Sequence, residues 1–261
     1  MTDAPHPTQA RQTHVHTKQN ERLRRYGIAR GLYHLLLGIA TLLGGAVTAT
    51  SAAASQLVLA YGDSLMAGYQ LGPTEGFAPQ LEAALRKQGR DVTVRSAAVS
   101  GDTSAAGRAR LNWVLAGLKA KPDLVLLELG ANDMLRGQPP ATLRANLDTM
   151  LSEFAKRAIP VVLAGMQASP NLGAAYVRDF NRIYPELAQA HRIPLYPFFL
   201  SGVAATPNLQ LTDGMHPNPR GVAVIVRGIL PTVDAALGPV QPVRDRRQMV
   251  PVASSQPTRI R

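Results

Sequence analysis

Residues 124–127 read Leu-Val-Leu-Leu, with no polar residue among them. A strand with one wet face alternates apolar and polar side chains, so an unbroken apolar run must be covered on both faces. Parallel sheets flanked by helices provide that cover. The rest of the chain fits this demand. Leu57–Tyr61 reads as a first strand and Val92–Val94 as a second. Asp123–Leu129, Ile159–Gly165 and Ile193–Phe199 read as three more. Between and after them, residues 77–88, 105–120, 140–157, 174–190 and 218–237 carry apolar side chains at helical spacing. Phe77, Leu81, Ala84 and Leu85 share one face of the first. Leu111, Val114, Leu115 and Leu118 share one face of the second, where Trp113 is expected to pack the helix onto the sheet. This alternation predicts an α/β fold with a parallel sheet and helices on both sides.

The ends of the chain differ from its body. Residues 1–30 hold six Lys/Arg against two acids, and residues 239–261 hold five against one. Most of the net charge of +11 therefore sits at the ends. No nucleic-acid partner is expected from such a distribution; a solvated tail over 239–261 is. Arg22, Arg24, Arg25 and Arg30 precede an apolar or small stretch over 31–50, and Ser51-Ala52-Ala53-Ala54-Ser55 follows. A charged, then apolar, then Ala-x-Ala series is the pattern of a secretory signal. We expect residues 1–54 to be a basic region and signal peptide, cleaved after Ala54, with a periplasmic or secreted product. The competing reading is an uncleaved anchor, and membrane contact is expected only through one or the other. With no cysteine in the chain, disulfides and a thiol nucleophile are excluded. Residues 55–238 suffice for one domain with a sizeable core.

Three predicted strand ends carry chemistry. Gly62-Asp63-Ser64-Leu65 follows the first strand, Gly130-Ala131-Asn132-Asp133 the third, and residues 165–170 the fourth. In open α/β sheets ligands bind outside the carboxyl ends of the strands. A serine hydroxyl placed there needs a base to take its proton. Of the two histidines after residue 54, His191 has no evident acid beside it and reads as a surface residue. His216 has Asp213 three residues before it, able to fix the imidazole tautomer. Read alone, Asp213-Gly214-Met215-His216 is better taken as a plain turn into a helix. Oxyanion donors are available from the Ser64 N–H, the Gly101 N–H and the Asn132 amide. Gly101 would equally serve a turn, and Asn132 a loop cap.

Taken together, Gly62-Asp63-Ser64-Leu65, Gly101, Gly130-Ala131-Asn132-Asp133 and Asp213-Gly214-Met215-His216 resemble, in order and spacing, the four blocks of the GDSL or SGNH hydrolases. The similarity spans about Leu57 to Leu237. It is greatest to the bacterial periplasmic acyl-CoA thioesterase I, arylesterase or lysophospholipase group. Ser100-Gly101-Asp102-Thr103-Ser104, the segment 127–137 and Pro194–Phe199 add to it. The resemblance implies a three-layer α/β/α sandwich around a flavodoxin-like sheet of five parallel strands. It implies Ser64 as nucleophile, His216 as general base and acid, and Asp213 as orienting acid. Ser64, Gly101 and Asn132 would form the oxyanion hole, with no metal and no cofactor. Asp63 is taken as structural, shaping the nucleophile turn. Met66 stands where an α/β-hydrolase elbow would need its second glycine. Substrates would be aryl esters, acyl thioesters or lysophospholipids. Family members close a loop near 167–173 over the acyl chain, so Met166, Leu172 and Tyr176 are candidates for a substrate groove, with core packing as their other reading. Two alternatives stand beside this one: a carbohydrate-ester deacetylase on the same scaffold, and a non-catalytic flavodoxin-like binding module. The second lacks a phosphate-cradling glycine run.

Overall fold

A computed structural model describes residues 55–239. The expected leader, residues 1–54, and the expected tail beyond Pro239 lie outside the described residues. The strands are β1 (Gln56–Tyr61), β2 (Val92–Ser96), β3 (Leu124–Glu128), β4 (Val161–Ala164) and β5 (Leu195–Tyr196). All pair in parallel, in the order β2-β1-β3-β4-β5. That is the flavodoxin-like order, with its switch point between β1 and β3. The unbroken run of β3 is buried along its whole length, as is β4.

The helices are α1 (Ser64–Ala67), α2 (Phe77–Lys87), α3 (Ser104–Ala116), α4 (Ala131–Leu135), α5 (Pro140–Lys156), α6 (Ala174–Asn181), α7 (Ile183–His191) and α8 (Pro219–Ala236). Helices α2 and α8 pack on one side of the sheet; α3, α5 and α7 pack on the other. The result is the three-layer sandwich that the sequence implied. Short 3-10 turns occur at Pro170–Leu172 and Pro207–Leu209.

Departures from the sequence reading have local causes. The expected helix over 105–120 ends at Ala116, where Gly117 follows. Its buried stripe is Ser104, Gly107 and Leu111. Trp113 lies two residues beyond Leu111, roughly 200° around the helix, and is 79% exposed rather than packed on the sheet. The expected helix over 174–190 is two helices that meet at Arg182. Pro185 explains the break: it has no N–H, and its ring crowds the carbonyl four residues back. Strand β5 keeps only two residues, because Pro194 and Pro197 on either side cannot donate to a ladder. His191 is not without an acid. Its Nε2 lies 2.6 Å from Asp148 Oδ1 of α5.

Gly165 ends β4. Its N–H donates to the Tyr196 carbonyl at 2.8 Å, and its own carbonyl accepts from the Phe199 N–H at 2.8 Å. A Cβ here would run into the Pro197 carbonyl and lie 3.3 Å from Tyr184 Cβ. Neither backbone can retreat without breaking the ladder. Gly165→Ala is expected to cost about 1–3 kcal/mol, the usual cost of overpacking a filled site. Urea unfolding measures it, and an unchanged midpoint would contradict this packing.

Candidate active site

Strand β1 ends at Tyr61, and the chain turns at once into α1. Gly62 makes the turn possible: a Cβ there would lie 2.7 Å from both the carbonyl oxygen and Oε2 of Glu128. Asp63 is the N-cap of α1, and its Oδ1 accepts from the Leu65 N–H at 3.0 Å. A four-residue helix has little stability of its own. Buried Leu65 and Met66 anchor it, and Gly68 stops it in the left-handed conformation at φ 77°. Ser64 therefore stands at the first helical position, outside the carboxyl end of β1.

His216 arrives from the opposite side, on the loop before α8. That loop is tied to itself. Leu211 N–H donates to the His216 carbonyl at 2.8 Å, and Asn218 N–H to the Leu209 carbonyl at 2.9 Å. Asn218 also caps α8, its Oδ1 accepting from Arg220 and Gly221 N–H at 3.0 Å each. The imidazole lies between two partners. Its Nε2 is 2.9 Å from Ser64 Oγ, and its Nδ1 is 2.7 Å from Asp213 Oδ2. Asp213 Oδ1 accepts from the backbone N–H groups of Met215 at 2.9 Å and His216 at 3.0 Å. These donors, the His216 N–H first among them, hold the Asp213 carboxyl down at about 2. An anionic Asp213 accepts a hydrogen bond from the Nδ1–H, which keeps the proton on Nδ1 and leaves Nε2 as the acceptor facing Ser64. Tyr69 lies against the ring, centroids 4.4 Å apart.

The three candidate oxyanion donors reach the same place. Ser64, Gly101 and Asn132 all line one cleft of about 800 Å³ with His216. Gly101 follows β2 with φ 87°, a conformation that side-chain-bearing residues resist. Arg136 donates to its carbonyl at 2.8 Å. Asn132 opens α4 after β3, and its Nδ2 donates to Asp63 Oδ2 at 3.1 Å. An amide nitrogen carries two N–H groups, so one remains. Below α4, Asp133 accepts from Ser104 N–H at 2.7 Å and Ser104 O–H at 2.5 Å, and Asn146 donates to Ser104 Oγ at 2.9 Å. That buried network ties α3, α4 and α5 together under the site.

The remaining wall of the cleft is largely apolar, with Leu65, Met134, Leu135, Met166, Phe198 and Leu200 among its lining. Of the three groove candidates, Met166 lines the cleft. Leu172 and Tyr176 stand outside its lining, and the Tyr176 hydroxyl instead donates to the Gln138 carbonyl at 2.9 Å. Among the described residues no cluster of three His, Asp or Glu side chains is placed to hold a metal ion.

Four residues here were given no role of their own in the sequence: Tyr69, Glu128, Asp133 and Arg136, the last three of them within the segment 127–137 that adds to the resemblance. Glu128 carried one further signal. It is a lone acid at the end of a strand whose other residues are all apolar.

A model of the GDSL-like Lipase/Acylhydrolase family matches residues 60–224. The chain belongs to this family. Its reaction class is therefore the hydrolysis of ester bonds. Esterase TesA of Pseudomonas aeruginosa is 39% identical over 191 residues, which are 73% of this chain and 94% of that protein. An arylesterase of Vibrio mimicus is 43% identical over 166 residues, 64% of this chain and 82% of its own. Among solved structures, AlinE4, described as an SGNH-hydrolase family esterase, superposes with a TM-score of 0.60 at 47% identity, covering 71% of this chain and 98% of AlinE4.

Proposed function

We propose that the chain is a serine esterase that works through an acyl-enzyme. One observation carries this reading: Ser64 Oγ, His216 and Asp213 form an unbroken hydrogen-bonded chain, with links of 2.9 and 2.7 Å, at the wall of an 800 Å³ cleft. As Ser64 attacks an acyl carbonyl, His216 Nε2 takes its proton. Charge develops on the carbonyl oxygen, which the Ser64 N–H, the Gly101 N–H and the free Asn132 N–H stabilise. Asp213 stabilises the imidazolium. His216 then gives its proton to the leaving oxygen or sulfur, and the bond to the acyl carbon breaks. Water, deprotonated by His216, repeats the attack and frees Ser64.

The apolar wall favours an acyl chain over a sugar, which bears hydroxyls that such a wall cannot satisfy. We therefore favour aryl esters, acyl thioesters and lysophospholipids over carbohydrate acetates. In this reading Met166 contacts the acyl chain directly, while Leu172 and Tyr176, the latter on α6, act only if the 167–173 loop closes.

We also propose export, supported by the basic, apolar and Ala-x-Ala series that ends at Ala54. No helix among the described residues is long and apolar enough to cross a membrane. N-terminal sequencing of the expressed protein should find a start near Ser55. An intact Met1 on soluble cytoplasmic protein would overturn the proposal.

Ser64→Ala and His216→Ala should each nearly abolish hydrolysis of p-nitrophenyl esters, and their double variant should be scarcely worse, because a triad acts as a unit. A fluorophosphonate probe should label Ser64 and fail on Ser64→Ala. Multiplicative losses in the double variant, or full activity in His216→Ala, would exclude the mechanism.

Asn132→Ala should lower kcat by about 10²–10³, the typical effect of losing one oxyanion donor. Full turnover with an unchanged circular-dichroism spectrum would remove Asn132 from that role.

A further inference from the structure

Strand β3 ends in a charged residue that the mechanism above does not use. Glu128 is fully buried. Its Oε2 lies 3.4 Å from the Asp63 backbone nitrogen, a long contact. Its Oε1 has no hydrogen-bond partner. The carboxyl sits hard against the nucleophile turn only because residue 62 is glycine, whose Cβ would lie 2.7 Å from Oε2. The residue that makes the long contact carries a second buried carboxyl, that of Asp63, close enough for its charge to act on Glu128. The two are not equally served. Asp63 accepts from the Leu65 N–H at 3.0 Å and from the Asn132 amide at 3.1 Å, both of which favour its anion. Glu128 has only the long contact. No cation pairs with Glu128 among the described residues. Adjacent carboxyl groups in a dry site do not both ionise, and the proton goes to the one with fewer donors.

We propose that Glu128 is a positioning residue: it remains a neutral carboxylic acid and donates its proton to the Asp63 carboxylate, which holds the Asn132 amide toward the cleft and caps the Ser64 helix. This rests on the reading of Asn132 as an oxyanion donor. Asp63 is thereby held by three donors from three elements. The Glu128 proton comes from β3, the Leu65 N–H from α1 and the Asn132 amide from α4.

The electrostatics agree with this placement. Burial first, and the Asp63 charge second, raise the Glu128 carboxyl well above its usual range. Burial also raises Asp63, to about 6, against the pull of the Leu65 N–H, the Asn132 amide and His216. The other groups near this pair are the Tyr184 hydroxyl of α7, which donates to the Leu129 carbonyl at 2.9 Å, and Arg110 of α3, which donates to the Gly62 carbonyl at 3.2 Å. Asp102, which pairs with Arg110 at 2.6 Å, adds negative charge to Asp63. Asp133 of α4 is bound instead by Ser104. An acid raised in the folded state contributes stability that is complete below the ordinary carboxylate range. That stability is lost as pH rises through its folded value. Glu128→Gln is neutral at every pH and should not show that loss.

The experiment compares the full chain with Glu128→Gln and Glu128→Leu. Infrared difference spectra between the parent and Glu128→Gln at neutral pH should contain the carbonyl stretch of a neutral carboxylic acid. Carboxylate bands in its place would overturn the proposal. Unfolding followed from neutral to alkaline pH should show the parent losing stability relative to Glu128→Gln; parallel curves would overturn it as well. The amide of Gln can donate to Asp63 as the acid does, whereas Leu cannot. Glu128→Leu should therefore lose kcat by about tenfold or more, a fraction of a full oxyanion donor, with KM little changed, and Glu128→Gln should restore most of it. Equal kcat losses in both variants would mean that an anion is needed. Full kcat in Glu128→Leu would mean that nothing is positioned. Should Glu128→Leu not fold, the spectra and the alkaline arm decide. The spectral arm is independent of catalysis, so a neutral Glu128 alongside a fully active Asn132→Ala would locate the failure in the oxyanion reading instead.

Discussion

One buried carboxylate, Asp63, sets the geometry on which the rest of the site depends. It lies at the switch point between β1 and β3, where the two strands send their chains apart. One of its oxygens caps α1 and so aims Ser64; the other holds the Asn132 amide. The proposed nucleophile and a candidate oxyanion donor are thus fixed to the same group. Neither short helix could hold that geometry alone, since nucleating one turn is unfavourable. The surrounding core makes the carboxylate rigid. Strand β1 is buried over its last four residues and β3 over all five.

Much of this was legible in the sequence. The unbroken run Leu124–Leu127 required two-sided cover and so gave the parallel sheet, and the strand ends pointed to Ser64 and Asn132. The offset of three between Asp213 and His216 suggested an imidazole with its own acid, and the structure brings both to Ser64. What stayed hidden depends on contacts between distant residues. Asp148 and His191 are 43 residues apart, and only the packing of α5 against α7 joins them. Trp113 was misread because a helix face was assigned from its apolar residues, while the stripe that packs contains Ser104 and Gly107. Small residues let a helix approach a sheet closely, and a hydrophobicity pattern does not register them. Glu128 was passed over for the opposite reason. It looks like the solvated end of a strand, and only the depth of the β1–β3 junction buries it.

The apolar wall of the cleft follows from the same topology. Met134 and Leu135 come from the turn after β3, Met166 from the turn after β4, and Phe198 and Leu200 from the chain after β5. Each turn leaves the sheet at the same edge, because every strand is parallel. An acyl chain bound there would run across successive strand ends, away from the β1–β3 junction where the carbonyl must sit.

The two halves of the site are built by different means, and the proposed mechanism needs both. The donor half is made of strand ends and buried side chains, with Asp63 fully shielded from solvent. Its task is to be in place before charge develops, since donors that must reorganise during the reaction lose their advantage. The base half lies on a loop that bonds to itself, with the Asp213 side chain 28% and the His216 side chain 16% exposed. In the proposed mechanism its task is to pass a proton from Ser64 to a leaving group and then from water back to Ser64, so the imidazole must serve more than one partner in turn. Asp213 suits that role because its charge is secured locally. The His216 N–H that holds its carboxyl at about 2 belongs to the residue whose ring it orients. Backbone and side chain of a single loop thus keep the acid ionised and the imidazole in the tautomer that faces Ser64. The two halves meet at the 2.9 Å contact from Ser64 to His216 and at the Tyr69 ring beside it. A rigid donor frame and a self-bonded base loop can therefore be perturbed separately, and only changes at that junction must disturb both.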